Sequence, residues 1–421
     1  MNRKINIGLV GFGVVGQGLF EVLEKTPGLQ VEIKTIVVKN KNKSRSIPPE
    51  HFSYDINSIL NNPEINTVVE LIDDAEAAFE IAKRAMQNGK AVVSANKKMI
   101  SEHFKELLAL QKKHAVPFLY EAAVCASIPV IRNLEEYYDN ELLRSIEGIV
   151  NGSTNYILSK TASDGLSYAE ALKQAQSLGY AESQPQLDTG GFDARFKLQI
   201  LIAHAFGTVL KTEEIFHTGI DRLGELELRY AREKNLRIKL KARAYKNESG
   251  KLCAFVLPEF VRADDKFYQV NEVYNALQIE GCFADRQFFV GRGAGAYPTA
   301  SAVLSDISAL RYGYRYEYRK HGAGPVLESE KEVYLKVLVR HTNQDADILR
   351  KQFIQVDESY NSRISRISSC DEAYTIGVLS LANAREILSK SFERALILIT
   401  VPDKTELDEM RWASEEIAWA E

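Results

Sequence analysis

Cysteine is scarce in this chain, with only four in 421 residues, at Cys125, Cys253, Cys282 and Cys370. They lie far apart and form no pair at metal-binding or redox spacing. This excludes a disulfide-stapled secreted domain and a thiolate metal centre. We therefore expect free thiols, a reducing compartment and a cytoplasmic location.

Long apolar runs and an excess of basic charge are also missing. No segment approaches the roughly 20 apolar residues that span a bilayer. The start, MNRKINIGLV, has a basic end and an apolar run like a secretory signal, but no small-residue cleavage site follows it. The net charge of -4 argues against a nucleic-acid or acidic-membrane partner. The length and an ordinary hydrophobic content predict two or three globular domains.

Glycine is placed with a clear spacing near the N-terminus. The apolar, β-rich KINIGLV is followed by GFGVVG, a helical stretch and a second strand, VEIKTIVV. Gly11, Gly13 and Gly16 have the G-x-G-x-x-G spacing, in which the glycines permit a tight turn, close approach of a pyrophosphate and close helix–strand packing. The helix N-terminus would offer free N–H groups to the phosphates. A dinucleotide site on a Rossmann-type parallel sheet is predicted, against the alternative of a merely structural turn.

The end of the second strand bears on which dinucleotide is bound. An NAD site usually has an acidic residue there for the ribose hydroxyls. Here no acid is present, and Lys39, Lys41, Lys43 and Arg45 follow. Either this loop accepts a 2′-phosphate or it is an ordinary solvated loop, and the choice between NAD and NADP stays open.

The remaining pattern predicts three domains in an α/β fold. Residues 1–130 form the dinucleotide-binding domain, completed by 290–318, and an α+β substrate and dimerisation domain covers 131–289. After a linker at 320–330, residues 330–421 are predicted to form a ferredoxin-like βαββαβ module, with strands at 332–340, 361–369, 374–380 and 395–401 and helices at 344–354 and 382–390.

The stretch GYAESQPQLDTGGFDARFK concentrates acidic side chains before the apolar LQILIAHAF. Asp193 and Lys197 are four residues apart, so on a helix they share one face. A lysine near carboxylates can handle the proton of a substrate hydroxyl. The alternative is an exposed Asp–Lys pair worth a few tenths of a kcal/mol.

Six segments in order resemble the homoserine dehydrogenase family over about residues 4–315. They are GFGVVG, VVSANK, YEAAV…IP, GIVNGSTNYIL, GYAE…D..G.DA..K and GAGAYPTASAVLSDI. The resemblance implies reversible NAD(P)-dependent interconversion of L-homoserine and L-aspartate 4-semialdehyde, in the biosynthesis of threonine and methionine. It also implies a homodimer or homotetramer.

The resemblance also assigns roles to individual residues. Lys197 is the implied proton donor and acceptor, and Lys97 the second active-site lysine, near cofactor and substrate. Homoserine would be bound by Glu182, at its amino group, and by Asp193, with Asp188 shaping the pocket. The implied cofactor contacts are Gly11, Phe12, Gly13, Val14, Val15, Gly16, Ser94, Lys97, Gly179, Gly293 and Gly295. For Lys97 a solvated loop charge, and for the last three glycines a helix-terminus turn, are the alternatives.

The segment YEAAVCASIP resembles the family's monovalent-cation loop. The resemblance implies that the main-chain carbonyls of Glu121, Val124, Ala126 and Ile128 bind Na⁺ or K⁺. A plain loop before Pro129 is the alternative.

Three departures weaken the resemblance. Asp73 and Asp74 replace small residues and would repel an anionic cofactor, unless they cap a helix and face solvent. Cys125, Ala126 and Ser127 replace a glycine-rich loop, and Gln184 replaces an aspartate. These changes motivate a rival hypothesis, a catalytically impaired relative that binds nucleotide or amino acid as a regulator. A dehydrogenase for another hydroxy or semialdehyde substrate is a third.

The C-terminal module resembles an ACT domain in its order of elements only. Its first turn, RHTNQDADIL, lacks the usual glycine. Threonine feedback and a degenerate assembly module are both compatible with this sequence.

Overall fold

A computed structural model describes residues 4–139, 142–322, 327–361, 373–389 and 395–400. Its first part is a six-stranded parallel sheet in the order β3-β2-β1-β4-β5-β6. The strands are β1 (Ile5–Val10), β2 (Val31–Val37), β3 (Phe52–Ser53), β4 (Thr67–Glu70), β5 (Ala91–Ser94) and β6 (Phe118–Leu119). The helices between them are α1 (Val14–Glu24), α2 (Asn57–Leu60), α3 (Ala75–Gln87) and α4 (Lys97–His114).

This order is the doubly wound Rossmann arrangement: strands are added outward from β1 to one side as far as β3 and then, from β4 onward, to the other side. The strands INIGLV, TVVE and AVVS are apolar and almost wholly buried, because helices cover both faces of the sheet. The carboxyl ends of β1, β4 and β5 therefore meet at one edge. That edge is where such folds bind ligands.

Helix α4 begins at Lys97, the last residue of the segment VVSANK. The Asn96 side chain accepts the N–H of Met99 at 2.9 Å and so caps the helix. Lys97 therefore lies in the first turn of a helix and not at a strand end.

The second part is a ten-stranded mixed sheet, in which β12-β11-β7-β9-β10-β16-β13-β15-β14 lie in order and β8 pairs with β10. Its first strands are β7 (Leu143–Ile149), β8 (Phe216–His217), β9 (Arg237–Lys246), β10 (Leu252–Val261), β11 (Tyr274–Gly281) and β12 (Asp285–Arg292). Helices accompany them at α5 (Val130–Glu136), α6 (Gly152–Ser163), α7 (Tyr168–Ser177), α8 (Gln186–Thr189), α9 (Phe192–Phe206), α10 (Glu225–Glu233) and α11 (Ala296–Leu310).

Two of these helices position the site. Helix α9 is buried along nearly its whole length, and its buried residues include polar and charged side chains as well as apolar ones. Helix α11 returns to the first part of the chain and packs on α1, where Gly18 lies so close to the carbonyl of Ala296 that a Cβ would be 2.9 Å from it.

The C-terminal part has the elements β13 (Tyr334–His341), α12 (Ala346–Arg350), β14 (Gln355–Asn361), β15 (Ala373–Ser380), α13 (Leu381–Ser389) and β16 (Leu396–Ile399). The second strand precedes its predicted position at 361–369, because the predicted helix at 344–354 is shorter. Every residue of β14 is exposed, so no alternation of buried and exposed positions marks it in the sequence. Residues 362–369 and 401 of the predicted strands, and Cys370, lie outside the described residues.

Within the described parts of the chain, no helix is long and apolar enough to cross a membrane. Cys125, Cys253 and Cys282 are free thiols, as predicted.

Candidate active site

Two lysines share one carboxylate at the junction of the two sheets. Lys97 Nζ lies 3.0 Å from Asp193 Oδ1, and Lys197 Nζ lies 2.8 Å from Asp193 Oδ2. Lys97 begins α4 in the first part of the chain, whereas Asp193 and Lys197 lie in the first turns of α9. We call these three residues the lysine–carboxylate cluster.

Asp193 and Lys197 of this cluster are buried, whereas Lys97 is partly exposed. The exposed fraction of the side chain is 3% for Asp193 and 9% for Lys197, so the reading as an exposed helix pair is wrong. Burial by itself raises the pKa of Asp193, but the charges of Lys197 and Lys97 outweigh it and hold the pKa well below its ordinary value. The charge of Asp193 in turn raises the pKa of Lys97, against the effect of burial. The carboxylate is therefore ionised at neutral pH.

Asn151, which the sequence analysis did not single out, fixes the carboxylates. Its amide nitrogen donates to Asp188 Oδ1 and to Asp193 Oδ2, each at 2.8 Å. Its oxygen accepts the N–H of Thr154 at 2.8 Å and caps α6. Beside it, Lys197 Nζ donates to the carbonyl of Val150 at 2.7 Å. A strand followed by Asn-Gly-Ser-Thr is an N-cap pattern that indicates this residue from sequence.

Glu182 is not brought into the cluster. It is exposed in the loop between α7 and α8, and its side chain makes no hydrogen bond or ion pair with any residue that the structure describes. Ser153 in α6 donates to the carbonyl of Tyr180 at 2.6 Å and ties this loop to the start of α6. Gly179 has φ +74° and lies just after the last turn of α7. The helix-terminus turn given above as the alternative for this glycine is therefore present.

The first glycine turn has the shape that a pyrophosphate requires. Gly11 has φ +97°, and a Cβ at Gly16 would lie 2.5 Å from the carbonyl of Gly11. A Cβ at Gly13 would meet no atom within 4 Å, so space is open there. No side chain caps α1, which leaves the N–H groups of Val14, Val15 and Gly16 for a ligand. The turn thus fits a dinucleotide phosphate.

Phe12 and Ser94 have side chains that face away from such a ligand. The Phe12 ring is buried and packs edge-on against Phe52, at 5.2 Å between centroids. The Ser94 hydroxyl is fully buried, donates to Glu70 Oε2 at 2.5 Å and accepts the N–H of Asn96 at 3.0 Å. Burial raises the pKa of Glu70 to about 7. A cofactor contact by Phe12 would therefore have to be through its main chain.

The basic loop after β2 lies beside this turn. The guanidinium of Arg45 donates to the carbonyls of Lys43 and Asn40 and lies 5.0 Å from the Phe52 ring that packs on Phe12. Ser46 in the same loop donates to Gln17 in α1 at 3.3 Å. The positive charge is therefore held beside the N-terminal part of α1.

The second glycine turn lies against an unsatisfied amide. Gly295 has φ +122° and precedes α11, and a Cβ at Gly293 would lie 2.0 Å from Asn275 Cγ. Asn275 is fully buried, and among the described residues its side-chain amide makes no hydrogen bond of normal geometry, the buried Cys125 thiol being a polar neighbour. A buried amide of this kind is expected to have a partner such as water or a ligand. No sequence motif singles out Asn275.

The candidate cation loop offers oxygen atoms of the right kind. The carbonyls of Val124 and Ala126 are in buried residues and accept no hydrogen bond from the described part of the chain. Ala126 has φ +43°, a left-handed conformation that glycine adopts more readily than alanine. The carbonyl of Ile128 accepts the N–H of Val130 at 2.8 Å and retains one lone pair. These donors fit a hard alkali cation.

The side chain of Glu121 connects the start of this loop to the first turn of α5. Its carboxylate accepts the N–H groups of Ile131 at 2.9 Å and Arg132 at 2.8 Å, and so caps α5. Its own N–H donates to Asp306 Oδ2 at 2.9 Å. Burial raises the pKa of Glu121 to about 7.

The acidic departures after β4 do not face the cofactor as a pair. Asp74 caps α3, because its Oδ1 accepts the N–H of Ala77 at 3.1 Å, and Asp73 is exposed. Capping was the predicted alternative to repulsion. Gln184 is also exposed.

A Rossmann sheet with an open glycine turn, joined to a mixed sheet by a buried lysine–carboxylate cluster, defines the class of nicotinamide-dinucleotide-dependent oxidoreductases with a separate substrate domain. Residues 11–121 match the family model "Homoserine dehydrogenase, NAD binding domain", and residues 129–308 match "Homoserine dehydrogenase". The chain belongs to the homoserine dehydrogenase family.

Individual relatives of known name also support membership of this family. The chain is 38% identical over 313 residues to a homoserine dehydrogenase of Synechocystis sp., covering 72% of each chain. It is 32% identical over 411 residues to that of Neisseria gonorrhoeae, covering 96% of this chain and 90% of the relative. The structure of a homoserine dehydrogenase from Thiobacillus denitrificans superposes with a TM-score of 0.80 at 28% identity, over 94% of this chain and 98% of that one.

A structure of a hyperthermophilic archaeal homoserine dehydrogenase in complex with NADPH is also similar. It has a TM-score of 0.64 and 28% identity, and it covers 75% of this chain and 99% of that one.

Proposed function

We propose that the chain catalyses the reversible NAD(P)-dependent interconversion of L-homoserine and L-aspartate 4-semialdehyde. The observation that carries this is the lysine–carboxylate cluster, in which Lys197 and Lys97 share the ionised Asp193 where the edge of the dinucleotide-binding sheet meets α9. Family membership and the relatives support the same activity. The departures at Asp74 and Asp73 give no support to an impaired regulatory relative.

Lys197 moves the proton of the substrate hydroxyl. In the oxidation of homoserine its neutral amine accepts that proton, and in the reduction of the semialdehyde its ammonium returns it. Asp193 and the carbonyl of Val150 hold the nitrogen in place from two sides. The bound nicotinamide supplies the hydride acceptor or donor.

Lys97 and the carboxylates arrange the substrate. Asp193 and Asp188 are both oriented by the amide of Asn151, so they present fixed acceptors toward the amino end of homoserine. Glu182, exposed in the loop between α7 and α8, would add a third carboxylate for the substrate amino group. Lys97, in the first turn of α4, lies between this group and the cofactor edge of the sheet.

The cofactor is held by the main chain of Gly11, Phe12, Gly13, Val14, Val15 and Gly16, and by the turns at Gly179, Gly293 and Gly295. Ser94 contributes through its backbone, because its hydroxyl has protein partners. Arg45 and its neighbouring lysines favour NADP over NAD, since no acid at the end of β2 would repel a 2′-phosphate.

The carbonyls of Glu121, Val124, Ala126 and Ile128 hold a monovalent cation, Na⁺ or K⁺. The unpartnered oxygens of Val124 and Ala126 support this. The loop lies directly before α5, so the cation would stabilise the segment that joins the two sheets.

We also propose a division into three domains, which the packing of α11 on α1 supports. Residues 1–130, completed by 290–318 through α11, form the dinucleotide-binding domain, and 131–289 the substrate and dimerisation domain of a homodimer or homotetramer. Residues 330–421 form a ferredoxin-like, ACT-like module, which the strand order β16-β13-β15-β14 supports. A cytoplasmic location remains a prediction.

The test is homoserine-dependent production of NADPH and NADH by the purified full chain, in the presence of K⁺ or Na⁺. We expect activity with homoserine and a higher kcat/KM with NADP. No turnover with either cofactor would contradict the proposal, and turnover only with another hydroxy acid in a substrate panel would replace it.

A further inference from the structure

A histidine and three glutamates converge on the outer side of α3 and α4, away from the lysine–carboxylate cluster. His103 Nε2 lies 3.2 Å from Glu76 Oε1, and one ligand atom each of Glu76, Glu102 and His103 lie within 4.8 Å of one another. On the other side of the ring, His103 Nδ1 lies 4.0 Å from Glu106 Oε1. We call Glu76, Glu102 and His103 the histidine–glutamate cluster.

The backbone of α4 is distorted to place this histidine. His103 has φ −112° and ψ 20°, outside the helical range, in the interior of the helix. The distortion brings its ring parallel to Phe79 of α3, with 3.9 Å between centroids and 9° between planes. The ring is therefore fixed by packing, and only its two nitrogens are left to interact with the carboxylates.

We propose that the histidine–glutamate cluster binds a divalent transition-metal ion, with Zn²⁺ as the best match. Imidazole and carboxylate ligands bind Zn²⁺ at about 2.0–2.2 Å, which puts neighbouring ligand atoms of a tetrahedron about 3.3 Å apart. The Nε2–Oε1 distance of 3.2 Å already has this value. Solvent supplies the fourth ligand, because Glu76 is mostly exposed.

Glu106 lies near the second nitrogen of His103, Nδ1, which would not bind the metal. A metal-bound histidine usually donates its second N–H to a carboxylate, which fixes the tautomer and strengthens the ligand. Glu106 Oε1, 4.0 Å from Nδ1, would accept that proton after a small movement of its exposed side chain. The competing partner of Glu102 is Lys98, whose Nζ is 3.9 Å away and is easily displaced, since both side chains are partly exposed.

The bound ion would join the first turn of α3 to the second turn of α4. Glu76 is in the first turn of α3, which Asp74 caps, and α4 begins at Lys97. The metal would therefore stabilise the orientation of the helix that bears Lys97. The metal site itself does not depend on the reaction proposed above.

The test is a Zn²⁺ titration of the tag-free, chelator-treated full chain with its accessible thiols alkylated, by calorimetry and by the visible absorption of Co²⁺ as a substitute. We expect one ion per chain and a higher thermal midpoint with Zn²⁺. His103→Gln and Glu102→Gln should each weaken binding by more than tenfold, and Glu106→Gln by about tenfold. Glu80→Gln, an exposed neighbour on α3, should bind like wild type.

Three results would overturn the proposal. They are no stoichiometric binding by wild type, unchanged Zn²⁺ affinity in both His103→Gln and Glu102→Gln, or displacement of Zn²⁺ by an equal concentration of Mg²⁺, which would indicate an acidic surface only. Circular dichroism of each variant separates loss of the site from loss of the fold.

Discussion

Asp193→Asn removes the charge that two lysines share while keeping the size of the side chain. Lys197 Nζ lies 2.8 Å from the carboxylate. At an effective dielectric constant of about 20, this attraction is worth about 6 kcal/mol. The pair with Lys97 contributes less, because that side chain is 44% exposed and is screened by solvent.

Part of the attraction offsets the cost of burying the ions. Removing one partner of a buried ion pair usually costs about 3–5 kcal/mol, because the remaining charge is left unpaired. Part of this lost stability is recovered in Asp193→Asn if Lys197 or Lys97 loses a proton or moves its ammonium group into solvent. We therefore expect a loss of about 2–4 kcal/mol in the free energy of unfolding, and a loss of homoserine oxidation of more than about a hundredfold.

The assay is urea unfolding at pH 7 together with steady-state kinetics. Asp74→Asn is the matched control, since asparagine caps a helix as well as aspartate and should change stability by only a few tenths of a kcal/mol. The reasoning fails if Asp193→Asn unfolds within about 0.5 kcal/mol of wild type, or if it keeps most of the wild-type kcat.

Three further predictions test other parts of the site. Lys197→Met should lower kcat by about 10²–10⁴-fold, the usual contribution of general acid–base catalysis, while NADPH binding measured by fluorescence stays near wild type. A kcat near wild type would show that Lys197 does not transfer the substrate proton. Arg45→Ala should raise the KM for NADP by about tenfold and leave the KM for NAD unchanged, because a charge-assisted hydrogen bond to a phosphate is worth about 1.5 kcal/mol. Equal changes in KM for both cofactors would show that the loop does not bind the 2′-phosphate. Glu70→Gln tests a pH dependence. Burial raises the pKa of Glu70 from 4.5 to about 7, so between these values the folded chain keeps a proton that the unfolded chain loses. The resulting stabilisation of the folded state is complete below pH 4.5 and is lost as the pH rises to about 7. The variant should therefore gain about 2–3 kcal/mol relative to wild type in unfolding free energy between pH 5 and pH 8, and a constant difference across that range would contradict the raised pKa.

The Rossmann sheet could be predicted because its signals are local. Alternating apolar strands and helices, and three glycines at fixed spacing, determine the turn at Gly11 and Gly13 whatever the rest of the chain does. The i, i+4 spacing of Asp193 and Lys197 likewise placed them on one helix face. The C-terminal strand β14 was misplaced, because all of its residues are exposed and leave no periodic pattern.

Other features depend on contacts between distant segments. Lys97 meets Asp193 only because α4 and α9 pack together, and Asn151 joins two carboxylates from a third segment. Burial of the pair, which changes an ordinary surface ion pair into a strongly coupled charge cluster, is a property of that packing.

Sequence by itself therefore determined the family, the parallel sheet and the residue types of the site. Only the tertiary structure decided which of those residues touch, that the Ser94 hydroxyl and the Phe12 ring have partners within the protein, and that His103 of α4 faces Glu76 of α3. The physical reason is that local backbone preferences act over a few residues, whereas charge coupling and burial act between atoms a few ångströms apart in space.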